Sequence, residues 1–311
     1  VSDGIVLHHP AMLRLIPLCW LLVASTAYAH GGYHAIAPGP PGWTLDPWVL
    51  GPLGLTTALY AAGFVRLCAR RSLWRRAGIF GLAWLVLTLA LVSPLHEAGE
   101  RSFTLHMIEH ELIMLVAALL LPLSRPWGVM LWAFPRSMRG ALAPGGRWIS
   151  RWAKPGIATA IQAAMLWLWH APPLFNRALG HPGWHVAQHL SFLLSALLFW
   201  WAMLRTPNRA VAALYLFITS VIGAALGALM ALSSSPWYAG YAAMGLMPFG
   251  LTPDEDQALA GLIMWVPGGL VHAGAALLLL QRYLGQNAVQ TKPCAGTTRR
   301  GGINPASAND S

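Results

Sequence analysis

The sequence predicts an all-α polytopic membrane helix bundle, with seven transmembrane helices after a cleaved signal peptide. Of its 311 residues, 56% are hydrophobic and only 10% are charged, whereas a soluble domain carries about 25% charged residues. The mean hydropathy is +0.54, and apolar runs long enough to cross a bilayer recur along the chain. Because a backbone in lipid must satisfy its own hydrogen bonds, these runs are expected to be helices.

Seven apolar runs define the predicted transmembrane helices. They cover residues 47–65, 77–92, 103–123, 156–171, 184–204, 210–232 and 257–281. The basic segment 124–155 contains Pro, Gly and Trp residues and is expected to lie along the membrane surface. The transmembrane domain is predicted as 47–284. A short N-terminal segment, 30–46, precedes it, and a polar tail, 285–311, follows it and is expected to be disordered.

The N-terminus has the layout of a signal peptide. Met12 opens a positive stretch, an apolar run covers 15–24, and an A-x-A cleavage site ends at Ala29. We therefore interpret 1–29 as upstream sequence and signal peptide, with Met12 as the start. Cleavage would leave His30 as the first residue, where the free amine and the imidazole form a chelating pair. An ordinary flexible leader is the alternative interpretation.

The distribution of charge predicts the orientation. If the helices alternate, the loops after the first, third and fifth helices and the tail share one side, and they carry nearly all the basic residues. The other side holds Arg101 and Arg177 as its only basic residues, together with eight acidic residues. By the positive-inside rule, the basic side is cytoplasmic and the mature N-terminus is outside. The net charge of +10 is thus a topology signal, and we expect no nucleic-acid partner.

Two predicted helices open with the same pair of histidines. His106 and His110 begin the third helix, and His185 and His189 begin the fifth. A spacing of four places each pair on one helical face. The pairs are offset by a constant 79 residues, and a Pro-Leu dipeptide precedes each pair by the same distance. This offset indicates either an internal repeat or a coincidence. In a repeat, the two pairs would lie at equal depth and could share one site.

The paired histidines predict a metal site at the outer ends of the helices. Imidazole binds Cu, Zn, Fe and Ni well, and ionisable groups at membrane depth usually face the bundle interior. The predicted ligands are His106, His110, His185 and His189, with His170 as a fifth candidate. For any single histidine, a hydrogen bond to the backbone, to lipid or to Glu109 is the simpler interpretation.

Other residues near this end have weaker signals. Met107, Met244 and Met247 are candidate thioether ligands that would favour Cu(I). His96 and His272 are interpreted as structural. The acidic cluster 254–256 indicates either N-capping of the last helix or attraction of cations.

Further patterns concern packing and the classes of protein that can be excluded. Gly223, Gly227, Gly268 and Gly269 indicate close helix packing, and the Trp200-Trp201 pair indicates an interfacial anchor. The three cysteines (Cys19, Cys68 and Cys294) have no metal-binding spacing or disulfide pattern. The sequence has no acylation triad, P-loop, dinucleotide fingerprint or HExxH motif, so we do not expect an enzyme.

Several motifs, in order, resemble the polytopic CtaG family of cytochrome c oxidase assembly factors. They are Ser93-Pro94-Leu95, His106-Met107 with His110, Trp169-His170-Ala171-Pro172, His189-Leu190-Ser191-Phe192 with Phe199-Trp200-Trp201, and Asp256-Gln257 with residues 260–269. The resemblance covers residues 48–283. It implies a bacterial inner-membrane protein needed for maturation of haem-copper oxidases, with oxidase subunits and membrane lipid as partners. The family commonly has Gln at the position of Glu109, whose carboxylate here would orient an imidazole or supply an oxygen ligand.

The predicted function is that of a non-enzymatic assembly factor. It would hold copper at the outward-facing polyhistidine site and present it to an oxidase subunit. Three alternatives remain open. A b-type cytochrome would use imidazole pairs to hold haem. A metal transporter would need the thin polar path formed by His272, Gln162, Thr219 and Ser220. A purely structural scaffold would need no metal at all.

Overall fold

The computed structural model describes residues 39–67, 71–142 and 152–290, and within these ranges it contains helices and no strand. The predicted all-α class is therefore confirmed for this part of the chain. The predicted signal peptide, His30, the three cysteines and the tail from residue 291 onward lie outside the described residues. Those interpretations stay predictions.

Each predicted apolar run corresponds to a helix. In chain order, the helices of the described part are α1 (Pro47–Arg66), α2 (Arg71–Val92), α3 (Pro94–Gly99), α4 (Phe103–Ser124), α5 (Pro126–Met130), α6 (Arg136–Leu142), α7 (Pro155–His170), α8 (Pro172–Gly180), α9 (Pro182–Arg205), α10 (Arg209–Ala231), α11 (Ala239–Ala242) and α12 (Pro253–Gln290). Within α4, the segment Leu112–Ala117 is π-helical. Residues 285–290, which were predicted as part of the tail, continue α12.

Six of these helices are long and apolar enough to cross a membrane, namely α1, α2, α4, α9, α10 and α12. The predicted fourth span, α7, has 16 residues. At 1.5 Å per residue it is about 24 Å long, which is shorter than the hydrocarbon core of about 30 Å. Proline at position 155 starts α7, and Pro172 opens the next helix, so the ends of α7 are fixed by residues that cannot continue a helix. Six candidate spans, rather than the predicted seven, are present in the described residues.

The helices that carry the histidine pairs are the interior helices of the bundle. In the apolar stretch of each long helix, 56% of the residues are buried in α4 and 50% in α9, whereas 11–28% are buried in the other four. α4 contributes to three apolar clusters: Ile113 packs with α1 and α2, Met114 with α9 and α10, and Phe103 with α8 and α12. α4 and α9 are in direct contact. The rest of the bundle is therefore arranged around α4.

A buried tryptophan stabilises the π-helical segment of α4. The Trp200 indole donates to the Met114 carbonyl at 3.0 Å and stacks on His272 with ring centroids 5.3 Å apart. A π turn interrupts the regular helical hydrogen-bond pattern, so its carbonyls need other donors. The prediction that Trp200 is an interfacial anchor is wrong, because its side chain is 2% exposed.

α10 and α12 approach each other most closely at two glycines. A Cβ atom at Gly227 would lie 2.7 Å from the Gly261 carbonyl oxygen, and one at Gly261 would lie 2.5 Å from the Gly227 carbonyl oxygen. Neither position has room for a methyl group, so the two backbones are in direct contact. The packing role predicted for Gly227 is confirmed.

The two hairpins that carry the histidine pairs have the same plan. In the first, α2 is followed by the short helix α3 and then by α4; in the second, α7 is followed by the short helix α8 and then by α9. α4 begins at Phe103 and α9 at Pro182, which is the same 79-residue offset as between the histidine pairs. Both pairs therefore lie in the first turns of neighbouring interior helices. We call this end the histidine end of the bundle.

Candidate metal centre

A carboxylate from α12 fixes the start of α4. Asp256 accepts hydrogen bonds from the Phe103 backbone N–H at 2.6 Å and from the Ser102 hydroxyl at 2.9 Å, and the Thr104 hydroxyl donates to the Asp256 carbonyl at 2.9 Å. A negative side chain at this position satisfies free N–H groups and complements the helix dipole. The sequence interpretation of the acidic cluster as a cap of its own helix did not identify this cross-helix role.

Three of the predicted ligands form a compact group. His106, His185 and His189 each offer a ring nitrogen, and these three atoms lie within 4.8 Å of one another. The ring centroids of His106 and His185 are 5.4 Å apart, and those of His185 and His189 are 4.4 Å apart. The Nε2 atoms of all three are buried and have no hydrogen-bond partner. We call these residues the histidine triad.

The other two predicted ligands lie beside the triad. The His110 ring is 4.3 Å from the His106 ring and 5.0 Å from the His189 ring, and neither of its nitrogens has a partner. The His170 Nδ1 atom is 2.7 Å from the Leu166 carbonyl, so only Nε2 remains for a ligand. Within the described residues, neither histidine belongs to a group whose ligand atoms all lie within 4.8 Å.

Two residues outside the five predicted histidine ligands also belong to this centre. Glu109 is fully buried, and its Oε1 atom is 2.8 Å from His96 Nδ1 and 3.6 Å from His189 Nδ1. His96, on α3, stacks on His185 with ring centroids 5.3 Å apart. His96 lies on α3, a helix separate from α4 and α9, so no sequence periodicity links it to the histidine pairs.

Carboxylates surround His96 and affect its pKa. Burial would lower the pKa of His96, but the hydrogen bond to Glu109 and the negative charges of Glu109, Glu100 and Asp46 raise it overall. The same carboxylates would stabilise a bound metal cation. Among the described residues, the ion pairs of Glu109 are formed with histidines and with no Lys or Arg.

The candidate methionine ligands do not join the triad. Met107 and Met247 pack in the apolar cluster that contains Phe103 and Phe175, and Met244 is 37% exposed. The polar residues of the suggested transport path (His272, Gln162, Thr219 and Ser220) instead line a small cavity of about 40 Å³, and Glu111 lies on its wall. His272 Nδ1 is 2.8 Å from the Gly268 carbonyl of its own helix, which agrees with a structural role.

The triad is suited to a metal ion. Ligand atoms that share a tetrahedral ion with bonds of 2.0–2.1 Å lie about 3.4 Å apart, so side-chain shifts of about 1 Å would bring the triad nitrogens onto one ion. Buried polar atoms without partners are costly, and each triad histidine has a buried, unpartnered Nε2 atom, which is explained if the group binds a cation. Glu109 could balance the charge of that cation and orient the His189 ring.

These observations define a class: a membrane protein whose described residues form a helical bundle with a cluster of buried and partly buried histidines at one end. Residues 58–286 match the family described as cytochrome c oxidase caa3 assembly factor (Caa3_CtaG). This match covers most of the chain, and the protein belongs to that family. Comparison with curated proteins and with solved structures gave no match.

Proposed function

We propose that this protein binds one copper ion at the histidine triad and supports the metallation of a haem-copper oxidase. The observation that carries the proposal is the meeting of His106, His185 and His189, whose ligand atoms lie within 4.8 Å of one another in a buried site. Imidazole ligands suit copper, and the family is one of cytochrome c oxidase assembly factors. In this proposal, copper is a cargo and the protein is not an enzyme.

The packing of the rings favours a metal ion over haem. A bis-histidine haem holds its macrocycle between two imidazoles. Here the rings of His106, His110, His185 and His189 contact one another, with centroids 4.3–5.9 Å apart. A porphyrin plane has no space between rings packed in this way.

The proposed setting is the bacterial inner membrane, with the histidine end outside. The positive-inside rule supports this orientation, because the loops at the opposite end carry most of the basic residues. We further propose that α7, although short, is the seventh membrane-crossing segment. With the N-terminus outside, an odd number of spans leaves the C-terminus on the cytoplasmic side. The partners would then be oxidase subunits that receive copper at the outer surface.

The proposal is tested by copper binding to the purified full-length protein. We expect one equivalent of Cu(I) per chain, with binding abolished by combining His106→Ala, His185→Ala and His189→Ala. His181→Ala is the matched control, because His181 is an exposed histidine immediately before α9. Absence of Cu(I) binding by the wild-type protein would contradict the proposal.

A cellular assay tests the role in assembly. In bacteria that lack their own copy of the gene, the wild-type protein should restore oxidase activity, and the triple variant should not. Equal restoration by both proteins would favour a purely structural scaffold.

A further inference from the structure

The histidine triad is one of three overlapping groups of potential ligands. A second group contains His96, Glu100 and His185, whose ligand atoms also lie within 4.8 Å of one another. The third group, which contains His96, Glu109 and His189, shares one residue with each of the others. His185 belongs to the triad and to the second group. Because an imidazole has two ring nitrogens, it can contact an ion in either group without leaving its place on α9.

Exposure changes steadily from the second group to the triad. Glu100 is exposed, His96 and His185 are partly buried, and His106 and His189 are buried. Within this end of the bundle, the second group is therefore nearer to the surface. An ion from outside would meet its carboxylate before it met the triad.

A large groove leads to the second group. It has a volume of about 1370 Å³ and lies between α9 and the α1–α2 hairpin, with His96, Glu100, His185 and His189 on its wall. His106 does not line this groove among the described residues. The groove therefore reaches the triad only on the side of His185 and His189.

The two groups differ in ligand chemistry. The outer group combines one carboxylate with two imidazoles and faces the groove, so it suits a partly hydrated ion. The triad has only imidazoles, and the apolar ring of Phe175 packs against its most buried member, His106, with ring centroids 5.3 Å apart. An ion that moves inward would exchange oxygen and water ligands for nitrogen.

We propose that His96, Glu100 and His185 form a loading station, through which copper reaches the histidine triad with His185 as the shared ligand. This inference rests on the proposed copper function and adds a route to it. During transfer, the ion exchanges His96 and Glu100 for His106 and His189, and its oxidation state does not change. The station would determine how fast copper is taken up, whereas the triad would determine how tightly it is held.

The test is the rate at which the purified full-length protein takes up Cu(I) supplied as its bicinchoninate complex, followed by the loss of the complex's colour. We expect His96→Phe combined with Glu100→Gln to slow uptake at least tenfold while one Cu(I) per chain is still bound at equilibrium. Glu97→Gln is the matched control, because it removes a carboxylate from the helix that carries His96 and from the same groove wall, but from outside all three ligand groups. It should load at close to the wild-type rate.

The outcomes separate the two proposals. If the wild-type protein binds Cu(I) and the double variant takes up Cu(I) at the wild-type rate, the proposed loading station is wrong. The proposed copper site at the triad is not contradicted by that result. If the wild-type protein binds no Cu(I), both proposals fail. If Glu97→Gln slows Cu(I) uptake as much as the double variant does, the slowing reflects general electrostatic attraction by carboxylates. That result would also contradict the proposed loading station.

A second measurement remains informative if the double variant folds poorly. With His106→Ala and His189→Ala the triad is lost, so Cu(II) added to this variant should occupy the station alone. Its electron paramagnetic resonance spectrum should show mixed nitrogen and oxygen ligands, and Glu100→Gln should alter it. A spectrum that does not respond to Glu100→Gln would overturn the assignment.

Discussion

The two halves of the histidine end are built on one plan but contribute different chemistry. The 79-residue offset pairs Glu109 with Gln188, and both side chains are fully buried. Glu109 is within hydrogen-bonding distance of His96, whereas neither amide atom of Gln188 has a partner. The first half therefore carries the buried carboxylate, and the second half is neutral at the same position.

The same offset pairs His96 with Phe175. Each of these rings contacts the first histidine of the opposite half, and both ring-centroid distances are 5.3 Å: His96 to His185 and Phe175 to His106. One half thus presents a polar ring near the groove, and the other presents an apolar ring in the core. A repeated scaffold can therefore hold ligands symmetrically while charge and access come from one side only.

The largest expected effect separates the second histidines of the two pairs. His189 belongs to the triad and His110 does not, although sequence spacing makes them equivalent. We expect His189→Ala to lower Cu(I) affinity about a thousandfold, because losing a ligand costs more than the 10–100-fold loss typical of outer-shell residues. His110→Ala should lower it less than about tenfold. Competition with a Cu(I) chelator measures both affinities. Equal losses of affinity would show that His110 and His189 are equivalent ligands and would contradict this prediction.

The next effect concerns the starts of the two helices. Asp256 caps α4, whereas α9 begins after His181 without a side-chain cap. We expect Asp256→Ala to destabilise the protein by about 3 kcal/mol, because it leaves buried N–H groups unpaired. That corresponds to a fall of roughly 6–12 °C in the unfolding midpoint in detergent. His181→Ala should change the midpoint by less than about 2 °C. A similar change in both variants would show that the starts of α4 and α9 do not differ in their dependence on a side-chain cap.

A smaller effect tests the buried carboxylate. Glu109→Gln gives the first half the residue type that the second half has at position 188. We expect it to weaken Cu(I) binding by about 10–100-fold, because the carboxylate orients an imidazole and balances the charge of the ion. Titration with Cu(I) at fixed pH measures the change, and an unchanged affinity would assign Glu109 to packing alone.

The smallest effect concerns the neutral counterpart. Gln188 is fully buried without hydrogen-bond partners, so replacing it by Met removes unsatisfied polar groups at similar volume. We expect Gln188→Met to change stability by less than about 1 kcal/mol and to leave Cu(I) affinity unchanged. A large loss of either would show that the Gln188 amide has a role at the metal centre.

Helical periodicity predicted the fold well but not which histidines converge. The apolar runs located every long helix, since their length and hydropathy follow from the membrane itself. The spacing also placed His106 and His110 on one face. The spacing could not show that His189 joins the triad and His110 does not, because that depends on how α4 and α9 are rotated against each other.

Long-range contacts explain the remaining differences. His96 reaches Glu109 from a separate short helix, and Asp256 reaches α4 across 153 residues of sequence. Neither contact has a local pattern in the chain. The length of α7 was predicted correctly, since the run 156–171 and the helix Pro155–His170 both have 16 residues, but 16 residues fall short of the bilayer core and leave α7 outside the candidate spans.

The central claim is that one copper ion is held by residues from both halves. X-ray absorption spectroscopy of the purified protein loaded with one equivalent of Cu(I) tests it most directly. We expect imidazole nitrogen ligands at about 2.0 Å, with nitrogen coordination reduced both by His106→Ala in the first half and by His185→Ala in the second. A spectrum without imidazole ligands, or one that neither substitution changes, would contradict it.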